Sequence, residues 1–301
     1  MTTPMLRDRS ARLAAPVSAR RRALERSPSF RPSFRALGAL AYEGARVSVA
    51  AVDLQSGQSV FAVDERIVLP TASIGKILLL IEVSARMTDR SLSEFSIVDR
   101  SVQDSVADSG LWQHLQAPAL PLSDLAALVG STSDNVATNA LLRHIGLDAV
   151  RARTESLGLV RTALLDVVRE SRGPDDAPQL SVGSTAELAW LFYALAHGHI
   201  IDPTTSQRVL GWLSLNTDLS MVASAFGRDP LAHRGVEHST WMVNKTGCDA
   251  GVRSESGILR GPRGGLAYAV SVQFEERDLA SRLRVLDALR VFGLDLLEFV
   301  H

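Results

Sequence analysis

The sequence predicts an α+β fold: an antiparallel sheet built from both chain ends, flanked by terminal helices, with a helical domain inserted between the two sets of strands. Three observations carry this. A helical stretch and two alternating apolar runs come first, a block of helical segments fills the middle, and three more strand-like runs and an amphipathic helix close the chain.

Phe30 to Ala41 has Phe34, Leu37, Leu40 and Ala41 at helical spacing. Val47 to Asp53 and Ser59 to Val63 flank Leu54-Gln-Ser-Gly-Gln58, a β-hairpin with a glycine turn. Leu69 to Val83 then runs from a short Pro-Thr-Ala turn into a helix that is apolar all round, and so predicted to be buried. Asp99 to Leu120 is irregular and reads as loop-rich surface, where Trp112 either walls a cleft or packs inside. Asp124 to Val129 is a short helix capped by Ser123, a second runs from near Ser133 to Gly146, and Asp148 to Leu157 is another. Val160 to Val182 lacks clean periodicity, and a loop that long inside a compact domain is usually functional. Ser184-Thr-Ala-Glu187 is a capping box opening a helix through Leu195. Helices follow at Thr204 to Leu213 and Asp218 to Ala225. Thr240 to Thr246, Ser256 to Leu259 and Leu266 to Phe274 read as strands, with Gly261 to Gly265 turning between the last two. Leu279 to Val300 closes the chain as an amphipathic helix. The implied divisions are a basic lead-in over 1–29, a discontinuous sheet domain over 30–68 and 222–301, and a helical domain over 69–221.

The totals exclude several partners. A net charge of −1 and a pI near 6.7 give no global attraction to nucleic acid or to an anionic membrane. Cys248 is the only cysteine, which rules out an internal disulfide and fits a reducing compartment. No apolar stretch is long enough to span a bilayer. The arginine-rich start, densest at Arg20-Arg21-Arg22, is read as a solvated lead-in rather than a nucleic-acid arm. It precedes no apolar core of the kind a secretory signal needs, so a cytoplasmic location is expected. The seven histidines have no carboxylate spaced to complete a metal site, and no cofactor is expected.

The chemistry is concentrated in two lysines. Lys and Arg together number 32, yet Lys76 and Lys245 are the only lysines. Arginine keeps its proton in practice whereas lysine can lose it, so both positions suggest a need for a titratable or compact donor. Ser73 lies three residues before Lys76, a spacing that puts both side chains on one helix face with Cβ atoms roughly 5–6 Å apart. A serine at a helix N-terminus sits among unpaired N–H groups, and burial would lower the lysine pKa and make it a base.

Three short motifs stand in order: Ser73-Ile-Gly-Lys76, Ser133-Asp-Asn135 and Lys245-Thr-Gly247. With them stands Ser-Asp-Asn-Val-Ala-Thr-Asn139-Ala-Leu-Leu142. Together they resemble the class A serine β-lactamases and the penicillin-binding D,D-peptidases of the same fold, from about Phe34 to the C-terminus. The resemblance implies that Ser73 is the acylated nucleophile, with Lys76 its proton partner and Ser133 a relay to the departing nitrogen. It also implies that Asn135 holds Lys76 and the substrate amide, and that Asp134 is structural. Lys245, Thr246 and, from the next strand, Arg253 would meet a substrate carboxylate, Arg253 being alternatively a surface residue. The backbone N–H groups of Ser73 and Cys248 would form an oxyanion hole, the thiol being incidental.

One family element is missing. Class A β-lactamases carry a Glu-x-x-Leu-Asn pattern in the long loop, and this loop reads Leu164-Leu-Asp-Val-Val-Arg-Glu170-Ser-Arg-Gly173. Glu170 is its only glutamate and the candidate deacylation base, with Asp166 the alternative. Opening of β-lactam amides by a β-lactamase is therefore the leading expectation. A D,D-peptidase or esterase-like hydrolase with slow deacylation comes second, and a non-catalytic binding module third.

Overall fold

In the computed structural model the described residues are 29–301; the arginine-rich lead-in lies outside them. Helix α1 (Arg31–Tyr42) precedes strands β1 (Arg46–Asp53), β2 (Ser59–Val63) and β3 (Leu69–Pro70). A 3-10 turn, Ala72–Gly75, leads into α2 (Lys76–Thr88). Strands β4 (Ile97–Asp99) and β5 (Ala119–Pro121) bracket the irregular segment before α3 (Leu122–Thr132), α4 (Asn135–Ile145) and α5 (Leu147–Ser156). After β6 (Ala163–Leu164) and β7 (Ser181–Gly183) come α6 (Thr185–Ala196) and α7 (Pro203–Leu213). The chain ends with β8 (Trp241–Asp249), β9 (Val252–Gly261), β10 (Gly264–Gln273) and α8 (Leu279–Val300).

The fold class is as the sequence predicts. Five antiparallel strands lie in the order β2-β1-β10-β9-β8, so strands from the two chain ends meet at β1 and β10, with Val49 opposite Val270. Side chains alternate between the faces. Ala50, Val243, Ile258, Ala267 and Ala269 join the core that holds α2 to α7. Val49, Met242, Leu259, Tyr268 and Val270 join the core under α1 and α8. The N–H of Ser33 in the first turn of α1 donates to the Asp295 carboxylate of α8 at 2.9 Å, satisfying an orphan helix donor across the two helices.

Several boundaries differ from expectation. Strand β9 extends over ten residues because its polar members are buried and partnered across the sheet, Ser254 with Ser271 and Glu255 with Tyr268. Val222–Phe226 is a 3-10 turn rather than an α-helix. Helix α3 starts at Leu122, with no side-chain cap from Ser123. Only half of the capping box forms: Ser184 accepts from the Glu187 N–H, while the Glu187 carboxylate accepts from the N–H groups of Val160 and Arg161.

Candidate active site

Ser73 sits in the 3-10 turn that abuts β8, the edge strand of the sheet. The turn is pinned from behind: the Ser181 hydroxyl of β7 donates to the Ala72 carbonyl, and Ala72 holds a φ of +48°. That left-handed backbone is strained for a residue with a Cβ and persists where surroundings over-determine it. The Lys76 N–H bonds the Ser73 carbonyl, one turn along.

Lys76 is fully buried. Its ammonium makes three hydrogen bonds among the described residues: to Ser133 O at 2.6 Å, Ser133 Oγ at 3.2 Å and Asn135 Oδ1 at 2.7 Å. They run to the second motif, and among the described residues the Ser73 and Lys76 side chains share no direct hydrogen bond of the kind the spacing predicts. Ser133 ends α3 in the left-handed region, at φ 56° and ψ 34°, and this reversal turns its hydroxyl inward. Lys245, also fully buried, donates to the same Ser133 Oγ at 3.0 Å. Two amines therefore converge on one hydroxyl. Burial first, then repulsion from Lys245, hold Lys76 well below the usual lysine range despite the attraction of Asp134. Burial lowers Lys245 to about 8.

Asp134 is structural, as expected. Its carboxylate caps α4 at the Ala137 N–H and accepts from the N–H groups of Leu111 and Trp112 at 2.7 and 2.8 Å, which folds the 105–115 segment over the site. Trp112 is a packing residue, fully buried with its indole N–H on Ala117 O. The Asn135 Nδ2 donates to Ala107 O at 3.0 Å.

The third motif is fitted by a close approach. A Cβ on Gly247 would fall 2.2 Å from the Thr71 carbonyl, so only glycine lets β8 lie against the serine turn. Thr246 is buried, and its carbonyl accepts from Lys245 Nζ. Cys248 stands exposed at the strand end opposite Arg253, its thiol pushed up to about 11 by desolvation and Asp218. A thiol so poor in thiolate suits an amide contribution only. Arg253 is buried rather than a surface residue. It donates to Asp249 O and Val252 O and pairs with Glu276 at 3.2 Å. Ser73, Asn135, Val168, Cys248 and Arg253 line one cleft of about 610 Å³.

The long loop departs from expectation. Glu170 is exposed, and its carboxylate accepts the Ala107 N–H at 3.0 Å. It lines a neighbouring depression with Arg143 and Leu147 and is not brought to Ser73. Asp166 is held by Arg169 and Arg172 at 2.8 and 2.6 Å, and Asp176 completes the cluster on Arg169. The loop lines the cleft with Val168, Arg169, Arg172 and Leu180, and Asn139 fixes the Val168 backbone from both sides. Spacing alone carried no signal for Val168, although Asn139 stood in the second-motif run.

Sheet, inserted helices and three converging motifs define a protein of the β-lactamase/transpeptidase-like class. The model of the β-lactamase enzyme family matches residues 30–299, and the chain belongs to that family as a β-lactamase-like hydrolase. A β-lactamase from Sphaerobacter thermophilus DSM 20745 is similar in structure at 24% identity and a TM-score of 0.75, over 88% of this chain and 96% of that one. A β-lactamase from Xanthomonas campestris pv. campestris ATCC 33913 gives 19%, 0.73, 88% and 97%. A PBP-A variant solved as an acyl-enzyme complex with penicillin G gives 18%, 0.71, 89% and 97%. A comparison with curated proteins finds no match.

Proposed function

We propose that Ser73 opens β-lactam amides, or related acyl donors bearing a carboxylate, to give an acyl-enzyme that is released slowly. The convergence of Lys76 and Lys245 on Ser133 Oγ beside the cleft that Ser73 lines carries this reading. Neutral Lys76 takes the Ser73 proton as Oγ attacks the carbonyl carbon. The N–H groups of Ser73 and Cys248 receive the oxyanion, the C–N bond breaks, and Ser133 delivers a proton to the departing nitrogen. Lys245 and Arg253 supply positive charge for the carboxylate, with Arg253 partly neutralised by Glu276.

Slow release is supported by the loop. Hydrolysis of the ester needs a base on a water, and the loop presents the apolar Val168 to the cleft while Glu170 and Asp166 are engaged elsewhere. The test is a chromogenic cephalosporin followed by colour and by intact mass. The expected result is colour close to one equivalent and a lasting adduct, both lost in Ser73→Ala. Rapid steady turnover without an adduct overturns slow release; neither colour nor adduct overturns acylation at Ser73.

A further inference from the structure

Glu170 remains to be explained. Its carboxylate bonds the N–H of Ala107, and the carbonyl of the same residue accepts from Asn135 Nδ2. The other end of that Asn135 amide accepts from Lys76 Nζ. Ala107 is thus clamped at both backbone groups, between the outer face of the loop and the buried amine. The neighbours share this tie. The Asn135 N–H donates to Ser109 O, and Val106 lines both the cleft and the depression beside it.

We infer that Glu170 is a positioning residue: it straps the 105–109 segment to the loop through Ala107 and so fixes the Asn135 amide that orients Lys76. The inference rests on acylation at Ser73. A charged acceptor strengthens the bond to an N–H, and a second bond on the same residue holds the peptide against rotation. With the strap cut, Ala107 O is free to shift and Asn135 loses the acceptor that sets its side-chain torsion. Asn135 Oδ1 then holds Lys76 Nζ less well. On the proposed mechanism the proton transfer made by Lys76 belongs to formation of the ester, so that is the step the strap affects.

The experiment compares Glu170→Ala with Glu170→Gln on penicillin G, reading acylation rate and adduct lifetime by intact mass. Glutamine keeps an acceptor oxygen for the Ala107 N–H but is no base. The expected result is acylation about tenfold slower in Glu170→Ala, rescued in Glu170→Gln, with adduct lifetime unchanged in both. Unchanged acylation in Glu170→Ala overturns the strap, as does a longer-lived adduct in both variants, which marks a base. Amide exchange adds a readout independent of reactivity: the Ala107 N–H should lose protection in Glu170→Ala and keep it in Glu170→Gln, at an unchanged melting temperature. If the parent protein is not acylated, the function proposed for Ser73 fails while the exchange result still decides the strap. Full Ala107 protection in Glu170→Ala overturns it.

Discussion

The side-chain amide of Asn139 closes two hydrogen bonds on the backbone of Val168, accepting from its N–H and donating to its C=O, both at 2.9 Å. These bonds fix the backbone of residue 168 where its side chain lines the cleft that Ser73 lines, at the border with the neighbouring depression. A carboxylate introduced there would stand over the ester rather than in solvent. General-base assistance contributes roughly 10²–10⁴-fold. Val168→Glu is expected to shorten the acyl-enzyme lifetime by about 10²-fold with little change in its formation. An adduct as long-lived as that of the parent would show that the loop does not deliver a base from this position.

Titration of the two lysines should give acylation a two-sided pH profile. On the mechanism proposed above Lys76 acts as the free amine, so the rate should rise with pH through its depressed pKa. On the same mechanism Lys245 draws the carboxylate as the cation, so the rate should fall as it loses its proton near pH 8. Part of the Lys76 depression comes from Lys245, and Lys245→Gln removes that repulsion. The rising limb should therefore move to higher pH in the variant, and the falling limb should vanish. Rates of penicillin acylation between pH 5 and 10 decide this, and a rising limb left in place would exclude the coupling.

Glu255 should make stability fall as pH rises. It is fully buried, and burial lifts its pKa to about 7 even though Tyr268, Asn244 and the N–H groups of Val222 and Ala223 donate to it. An acid whose folded pKa lies above its unfolded one binds more protons when folded, so its contribution is present below the unfolded pKa and lost as pH climbs through the folded one. Between an ordinary carboxylate pKa of about 4.3 and 7, the loss is of the order of 4 kcal/mol. Urea unfolding at pH 5 and pH 8 should show it, and Glu255→Gln should flatten the difference. A variant that keeps the parent slope would assign it to other groups.

The fold was legible where burial is local and periodic. The helical spacing of Leu289, Phe292 and Leu296 marks α8, whose inner face is completed by Val285 and Ala288 while Leu283 is exposed, and the Gly57 turn gives the first hairpin. It was hidden where a polar residue is buried by a partner far along the chain. Glu255 and Ser254 make β9 read as Ser256 to Leu259 alone, because Tyr268 and Ser271 are seen only across the sheet. The site divides in the same way. Serine and lysine types are dictated by the chemistry and recur at fixed short spacings, so Ser73, Lys76, Ser133 and Lys245 stand out. How the loop lines the cleft depends on the bonds from Asn139 of α4 to Val168, which spacing does not show, and the loop glutamate lines the neighbouring depression instead.

Gly247→Ala tests whether the serine turn and the strand edge must touch. The added Cβ would lie 2.2 Å from Thr71 O and 3.1 Å from Ile74 Cγ1, and the Thr71 carbonyl already accepts from the Ile74 N–H in a turn held at Ala72, so neither yields readily. The strand would have to move outward, parting the Cys248 N–H from the Ser73 N–H. Overpacking of this kind costs typically 1–3 kcal/mol, and loss of one oxyanion donor slows acyl transfer roughly 10²–10³-fold. Gly211→Ala is the control: it lies exposed in α7, where nothing approaches an added Cβ, and alanine there should be neutral or stabilising by about 0.5–1 kcal/mol. Urea melts and acylation rates on both variants separate the outcomes. Near-parent acylation in Gly247→Ala would mean that the Cys248 amide is not part of the oxyanion hole.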